Sequence, residues 1–198
     1  MIDVIIATNN KDKLCEISGL LKPYGINCLS LGDIGFADEI EEDGDTFFDN
    51  AYKKASFISK KYNLPALGDD SGLVVDSLPN ELGVRSKRFS PSAIDKENND
   101  LLLIKLEHEI NRQAHFISQI VLYFPGGRFF AYQGRIDGEI ARDFRGNNGF
   151  GYDPLFIINE NGKRMAELTR DEKNMISHRG RALAKLIEDI DNEIVTFQ

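Results

Sequence analysis

An α/β fold with a mixed sheet is what this sequence predicts, and three observations predict it. The chain opens on an apolar run, "IDVIIA" at 2–7, that passes through a polar loop, "TNNKDK", into residues at helical spacing; strand, loop and helix in that order belong to α/β folds. A second short strand, "GLVVD", follows a second helical stretch. "PGG" at 125–127 joins two strand-like segments as a hairpin, so the sheet is mixed rather than wholly parallel.

The elements follow in order. Leu14, Ile17, Leu20 and Leu21 mark the first helix, with Pro23 just beyond it. The acidic stretch "ADEIEEDGD" precedes the second helix. There Thr46 with Asp49 resembles a capping box, and Phe48, Ala51, Ala55, Ile58 and Tyr62 form an apolar stripe. "PNELGVRSKRFSPSA" has no clean period and reads as loop, and Leu102, Leu103, Leu106 and Ile110 mark a third helix. Residues 114–124 and the stretch "RFFAYQGRIDGEIA" form the hairpin. The glycine-rich "RDFRGNNGFGYDP" leads to the apolar "LFII". From Thr169 the chain is helical, with Leu183, Leu186, Ile187 and Ile190 as its buried stripe. No linker separates independent domains, so residues 1–198 are expected to form one domain.

Composition narrows the function classes. Of 198 residues 41% are hydrophobic and 28% charged, as in ordinary globular proteins, and the length is ample for a core. Thirty-two acids against 24 bases give a net charge of −8, which argues against a nucleic-acid partner. An anionic ligand would need local cations, helped by a metal, against that field. The two cysteines, Cys15 and Cys28, make neither a disulfide scaffold nor a metal motif. The first residues lack a signal-peptide pattern, and no apolar run approaches the roughly 20 residues of a membrane span. A cytoplasmic protein without membrane contact is expected.

Five stretches carry candidate chemistry. Thr8, Asn10 and Lys13 lie in the loop from strand to helix, where free backbone N–H groups favour anions; a capped turn with a solvated lysine is the plain alternative. On the second helix Thr46, Asn50 and Lys54 step by four, either as a solvent face or as donors toward phosphates. "LGDDSGLVV" sets Asp69 and Asp70 side by side among core-like residues. With Glu42 they suit a hard divalent cation, which takes one or two carboxylates plus substrate oxygens. Neighbours in a strand point to opposite faces, so two acids on one ion would require a bulge, which Gly68 and Gly72 would permit. Phe150 and Tyr152, in "GFGYDP", either stack on a flat ligand or plug the core. In "SHRGRAL", His178 and Arg179 follow Ser177. They are misplaced cations in a first helical turn, or else lie within one long helix begun at Thr169 with Glu172 as its capping partner.

Jointly these stretches resemble the inosine triphosphate pyrophosphatase family, which removes non-canonical purine nucleoside triphosphates. The resemblance covers "ATNNKDKLCE", "EEDGDTFFDNAYKKA", "LGDDSGLVVDSL", "SKRF", "GFGYDPLF" and "ELTRDEKNMISHRGRAL" in order, over nearly the whole chain. It implies an α/β fold with a long, twisted mixed sheet flanked by helices, in two lobes with a central cleft. It also implies a homodimer, and Mg²⁺-dependent hydrolysis of ITP, dITP or XTP to the monophosphate and pyrophosphate. Asp70 then matches the catalytic acid, which also lies at the metal with Glu42, and Asp69 is a supporting metal-side acid. Thr8, Asn10 and Lys13 match the phosphate loop, and Lys54 is a phosphate partner. Ser71 and Arg88 match substrate contacts; Phe150, Gly151, Tyr152, Asp153, Lys173, His178 and Arg179 match nucleotide-binding positions.

Two departures stand out. Leu82 replaces an expected proline and Lys87 an expected alanine in "LGVRSKRF", while Gly68, where alanine is frequent, reads as a mild change. Three rivals are weighed against this reading: the related Maf-like group, against which "SHRGRAL" and "GFGYDP" argue; a binding module without catalysis, which would not require a poised base; and an unrelated α/β metalloprotein, against which six motifs in order argue.

Overall fold

The computed structural model describes residues 1–197. In chain order the elements are β1 (Ile2–Ile6), α1 (Lys11–Leu21), β2 (Ile26–Leu29), α2 (Phe47–Tyr62), β3 (Ala66–Val75), α3 (Asp95–Lys105), β4 (Gln113–Tyr123), β5 (Phe129–Ile140), β6 (Phe156–Ile158), α4 (Arg170–Ile176) and α5 (His178–Asp191). The six strands form one sheet in the order β2-β1-β3-β4-β5-β6. β1 runs parallel to β2 and to β3, whereas β5 and β6 are antiparallel, so the sheet is mixed.

Three details depart from the sequence reading. β2, "INCL", has only four residues and half of its side chains part-exposed, too short to carry a period. α3 stops at Lys105, short of Ile110, which is 94% exposed. Residues Gly83–Arg88 form a 3-10 turn inside the stretch read as loop.

The chain divides into two compact units whose boundaries fall inside β3, β4 and β5 and after the first residue of α5. The first comprises Met1–Asp70, Ser118–Gly134 and the chain from Arg179 onward; the second comprises Ser71–Ile117 and Arg135–His178. In the first unit, Val4 and Ile6 of β1 pack with Ile17, Leu21, Leu67, Leu183 and Leu186. Ile5 and Ala7 point the other way, into a cluster with Leu31, Phe36, Ile58 and Ala66. A strand covered on both faces reads as a continuous apolar run, which is why "IDVIIA" does not alternate. In the second unit Leu73, Val75, Leu102, Leu106, Phe116, Ile140, Leu155 and Phe156 form the core. Leu82 is among its buried members, 4% exposed, so the residue in place of proline fills the core.

One contact in the first unit places the site. A Cβ on Gly68 would lie 2.1 Å from the backbone oxygen of Ala51, so α2 touches β3 directly before the acid pair. Ala51 and Ala55, both fully buried, keep that helix face small. Gly68 therefore serves close approach. β3 is assigned as strand from Ala66 to Val75, and a methyl at position 68 is not a mild change here.

Candidate active site

The loop after β1 begins the site. Asn10 caps α1, its side-chain oxygen accepting from the N–H groups of Asp12 and Lys13, and Thr8 Oγ1 accepts from the Asn10 N–H. The turn is thus capped, but its lysine is not solvated. Lys13, with a side chain 14% exposed, lies 2.9 Å from the Asp69 carboxylate. Burial lowers its pKa, and Asp69 only partly opposes this.

Asp69 and Asp70, adjacent in β3, bond different partners. Asp69 is wholly enclosed by donors. Arg179 Nη2 and Nε bond its Oδ2 at 3.0 and 3.3 Å, Lys13 reaches the same oxygen, and Ser118 Oγ donates to Oδ1 at 2.6 Å. Arg179, 1% exposed, also donates through Nη1 to Glu16 on α1. Burial alone would raise the Asp69 pKa; the guanidinium and the lysine outweigh it and hold this carboxyl well below the usual carboxylate range.

Asp70 has the opposite surroundings. Its Oδ2 accepts from Asn50 Nδ2 at 3.0 Å. Burial raises its pKa, Lys54 and Lys13 only partly offset that, and the charge of Glu42 raises it further. Lys54, one turn after Asn50 on α2, donates to Glu42 at 2.6 Å and to the backbone oxygen of Asp69 at 2.7 Å. Two adjacent acids are thus pushed apart in pKa, the pattern that separates a fixed charge from a proton acceptor. Among the described residues, no three His, Cys, Asp or Glu side chains are arranged to hold a metal. The expected trio of Glu42, Asp69 and Asp70 is not assembled, because Arg179, Lys13 and Ser118 occupy the Asp69 carboxylate.

The second unit gathers another group. Lys173 of α4 and Asp153 form a buried ion pair at 2.6 Å, and the same Asp153 oxygen accepts the Phe150 N–H at 2.9 Å. The Lys173 ammonium lies 4.5 Å from the centroid of the half-buried Phe150 ring. Tyr152 is a core residue, its hydroxyl donating to the Ser86 carbonyl. Gly151 is held at both ends of its residue: its N–H donates to Asp95, and its carbonyl accepts from Asn99. Asp95 also receives Lys87 at 2.6 Å, so the lysine in place of alanine pairs with the residue that holds the loop. Arg88 closes the 3-10 turn and is exposed, and Ser71 follows Asp70 in β3, half-buried. His178 stacks on Phe116 with ring centroids 4.8 Å apart. α4 ends at Ile176 and Ser177 is extended, so His178 does open a new helix, while Thr169 and Glu172 cap the preceding one.

The structure therefore joins Lys13, Lys54, Glu42, Asp69, Asp70 and Arg179 in one unit, and Phe150, Gly151, Asp153 and Lys173 in the other. Sequence reasoning missed Glu16, Ser118, Asp95 and Asn99 as supports. It noted Asn50 only as part of a polar stripe.

In this α/β protein an acid held well below the usual carboxylate range and a neighbouring acid whose pKa burial raises thus stand beside two lysines. The family is identified by similarity. The Ham1 family model matches residues 4–189, and the chain belongs to that family. It is 48% identical over 190 residues to the dITP/XTP pyrophosphatase of Geobacter sulfurreducens, covering 94% of this chain and 95% of that one. It is 43% identical to the dITP/XTP pyrophosphatase of Bacillus subtilis, covering 94% and 96%. The solved HAM1 protein from Coxiella burnetii superposes with a TM-score of 0.88 at 38% identity, covering 97% and 100%.

Proposed function

We propose that this protein hydrolyses non-canonical purine nucleoside triphosphates, dITP, ITP and XTP, to the monophosphate and pyrophosphate. The opposed environments of Asp69 and Asp70 carry the reading, and the names of the relatives support it.

The reaction is attack by water on the α-phosphorus. The water oxygen forms the new bond to phosphorus while the bond to the α,β-bridging oxygen breaks, and pyrophosphate leaves with that oxygen. Asp70 accepts the proton from the water, a task suited to a carboxylate whose pKa is raised toward the working pH. Lys13 and Lys54 supply fixed positive charge to the phosphates, and positioning with charge stabilisation makes up most of the catalysis in such transfers. Asp69, in this reading, holds Lys13 rather than a metal, and Arg179 holds Asp69.

A divalent cation fits Glu42 and Asp70. Both are carboxylates within electrostatic reach of each other, and Mg²⁺ takes one or two such groups plus phosphate oxygens. Bound there, Mg²⁺ would neutralise triphosphate charge in a protein of net charge −8. Phe150 offers a ring face to the purine, and His178 is assigned the 6-keto oxygen that distinguishes hypoxanthine and xanthine from adenine. Pairing of that kind discriminates by about 10⁴-fold or more. A cytoplasmic homodimer is part of the same proposal. No helix among the described residues is long and apolar enough to cross a membrane.

Product analysis tests this. Pyrophosphate release from dITP, ITP, XTP, GTP and ATP is measured with Mg²⁺ and with chelator. Orthophosphate as the product would overturn the reaction class, and equal rates on ATP and ITP would overturn the selectivity.

A further inference from the structure

We infer that Asn50 is a positioning residue for this reaction, fixing the Asp70 carboxylate and the acidic loop 41–45 in one arrangement. The inference rests on the proposed role of Asp70. It is carried by three contacts of one buried side chain.

Asn50 is 1% exposed and sits on the second turn of α2, four residues after the cap Thr46. Its Nδ2 donates to Asp70 Oδ2 at 3.0 Å, its Oδ1 accepts the Gly44 N–H at 2.8 Å, and Nδ2 also lies 3.4 Å from the Gly44 carbonyl. An amide is the side chain that both donates and accepts in this way; a carboxylate lacks the donor and a hydrocarbon lacks both. The loop lies directly against the helix. A Cβ on Gly44 would be 2.7 Å from Asp49 Cβ and 2.8 Å from Asn50 Oδ1. Glu42, two residues earlier in this loop, is held by Lys54, one helical turn beyond Asn50. Asn50 and Lys54 thus form one face of α2 that grips the loop at two points and β3 at two points, the Asp70 side chain and the Asp69 carbonyl. Asn50 touches neither water nor phosphate in this scheme; it acts through Asp70 and through the separation of Asp70 from Glu42.

Two substitutions and a swap test the assignment. Asn50→Asp keeps the size and the acceptor for Gly44 but loses the donor to Asp70, and Asn50→Leu loses both. Each is expected to lower kcat on dITP by about 10²-fold, the cost of a misplaced catalytic group, with KM within about threefold. Asn50→Asp is also expected to weaken Mn²⁺ binding by the substrate-free protein in calorimetry or to alter its stoichiometry. The swap Asn50→Asp with Asp70→Asn rebuilds the hydrogen bond with donor and acceptor exchanged. It should therefore recover the thermal midpoint lost in Asn50→Asp while turning over no faster than Asp70→Asn alone.

Normal kcat in both single variants, with Asp70→Asn inactive, overturns the positioning role and leaves the proposed reaction standing. So does a KM rise matching the kcat loss, or a swap whose midpoint shows no recovery. Turnover retained in Asp70→Asn overturns the underlying reading instead.

Discussion

The two groups of site residues are built on different physics. In the first unit, Asp69, Arg179, Glu16 and Lys13 form a buried charge network next to Lys54, Glu42 and Asp70. In the second, one buried pair, Lys173–Asp153, accompanies backbone contacts and a half-buried ring. A network of fixed charges suits a step in which charge develops, because preorganised dipoles and ions need no rearrangement at that moment. A ring and a tethered loop suit recognition of a flat, neutral base. The difference teaches that substitutions in the first group should act on turnover and stability, and those in the second on binding.

The largest effect is expected at Asp70. Asp70→Asn should lower kcat on dITP by about 10²–10⁴-fold, the range of a lost general base, in steady-state pyrophosphate assays. Its thermal midpoint should hold or rise at neutral pH, since burial disfavours the ionised carboxylate it replaces. A midpoint falling with activity would erase the distinction between a chemical and a structural role.

Next comes Arg179→Met. It removes the cation shared by Asp69 and Glu16, and leaving buried charges without their partner costs about 3–5 kcal/mol, measurable by urea unfolding. The pH dependence follows from the Asp69 shift. Its folded pKa is depressed, so its contribution is present above the ordinary carboxylate pKa and is lost as pH falls through the depressed value. Without Arg179 that value rises, and acid unfolding should begin at higher pH than in the parent protein.

How much of this was legible in the sequence follows from the range of each interaction. The α/β class, α1, α2 and the hairpin came from periodicity and turn residues, which are local. The polar step of four put Asn50 and Lys54 on one face of α2 before any contact was known. Ser118 gave no signal, because one serine in an apolar strand becomes informative only when β3 is known to lie beside β4. Glu16 stood three residues after Lys13 in a noted motif, yet its partner is 163 positions away. Asp69 and Asp70 look equivalent in sequence, and only their partners in the fold separate them. Gly68 misled for a related reason: its meaning depends on how closely a helix 17 residues earlier approaches.

The second group sharpens the comparison with a smaller effect. Phe150→Leu removes the ring that faces Lys173, and loss of base stacking is worth about 1–3 kcal/mol per base. KM for dITP should rise about tenfold or more, with kcat and thermal midpoint near those of the parent. A drop in kcat with unchanged KM would place Phe150 with the catalytic group and break the division proposed above.

The smallest effect concerns where each unit feels pH. In the second unit His115 of β4 has a side chain 13% exposed, with Asp76 at 4.0 Å. Burial lowers its pKa, Arg135 adds to the lowering, and Asp137 and Asp76 oppose it. The folded protein thus binds fewer protons than the unfolded chain between the lowered value and the ordinary 6.5. Stability should therefore rise as pH rises through that window and level off above it. His115→Gln should flatten this slope while leaving the acid-side loss assigned to Asp69 in place, as read from urea midpoints taken between about pH 2 and 8, a span that takes in both the carboxylate and the histidine range. A slope unchanged by the substitution would move the neutral-range titration to another group, and the contrast between an acid-sensitive first unit and a neutral-sensitive second one would fall with it.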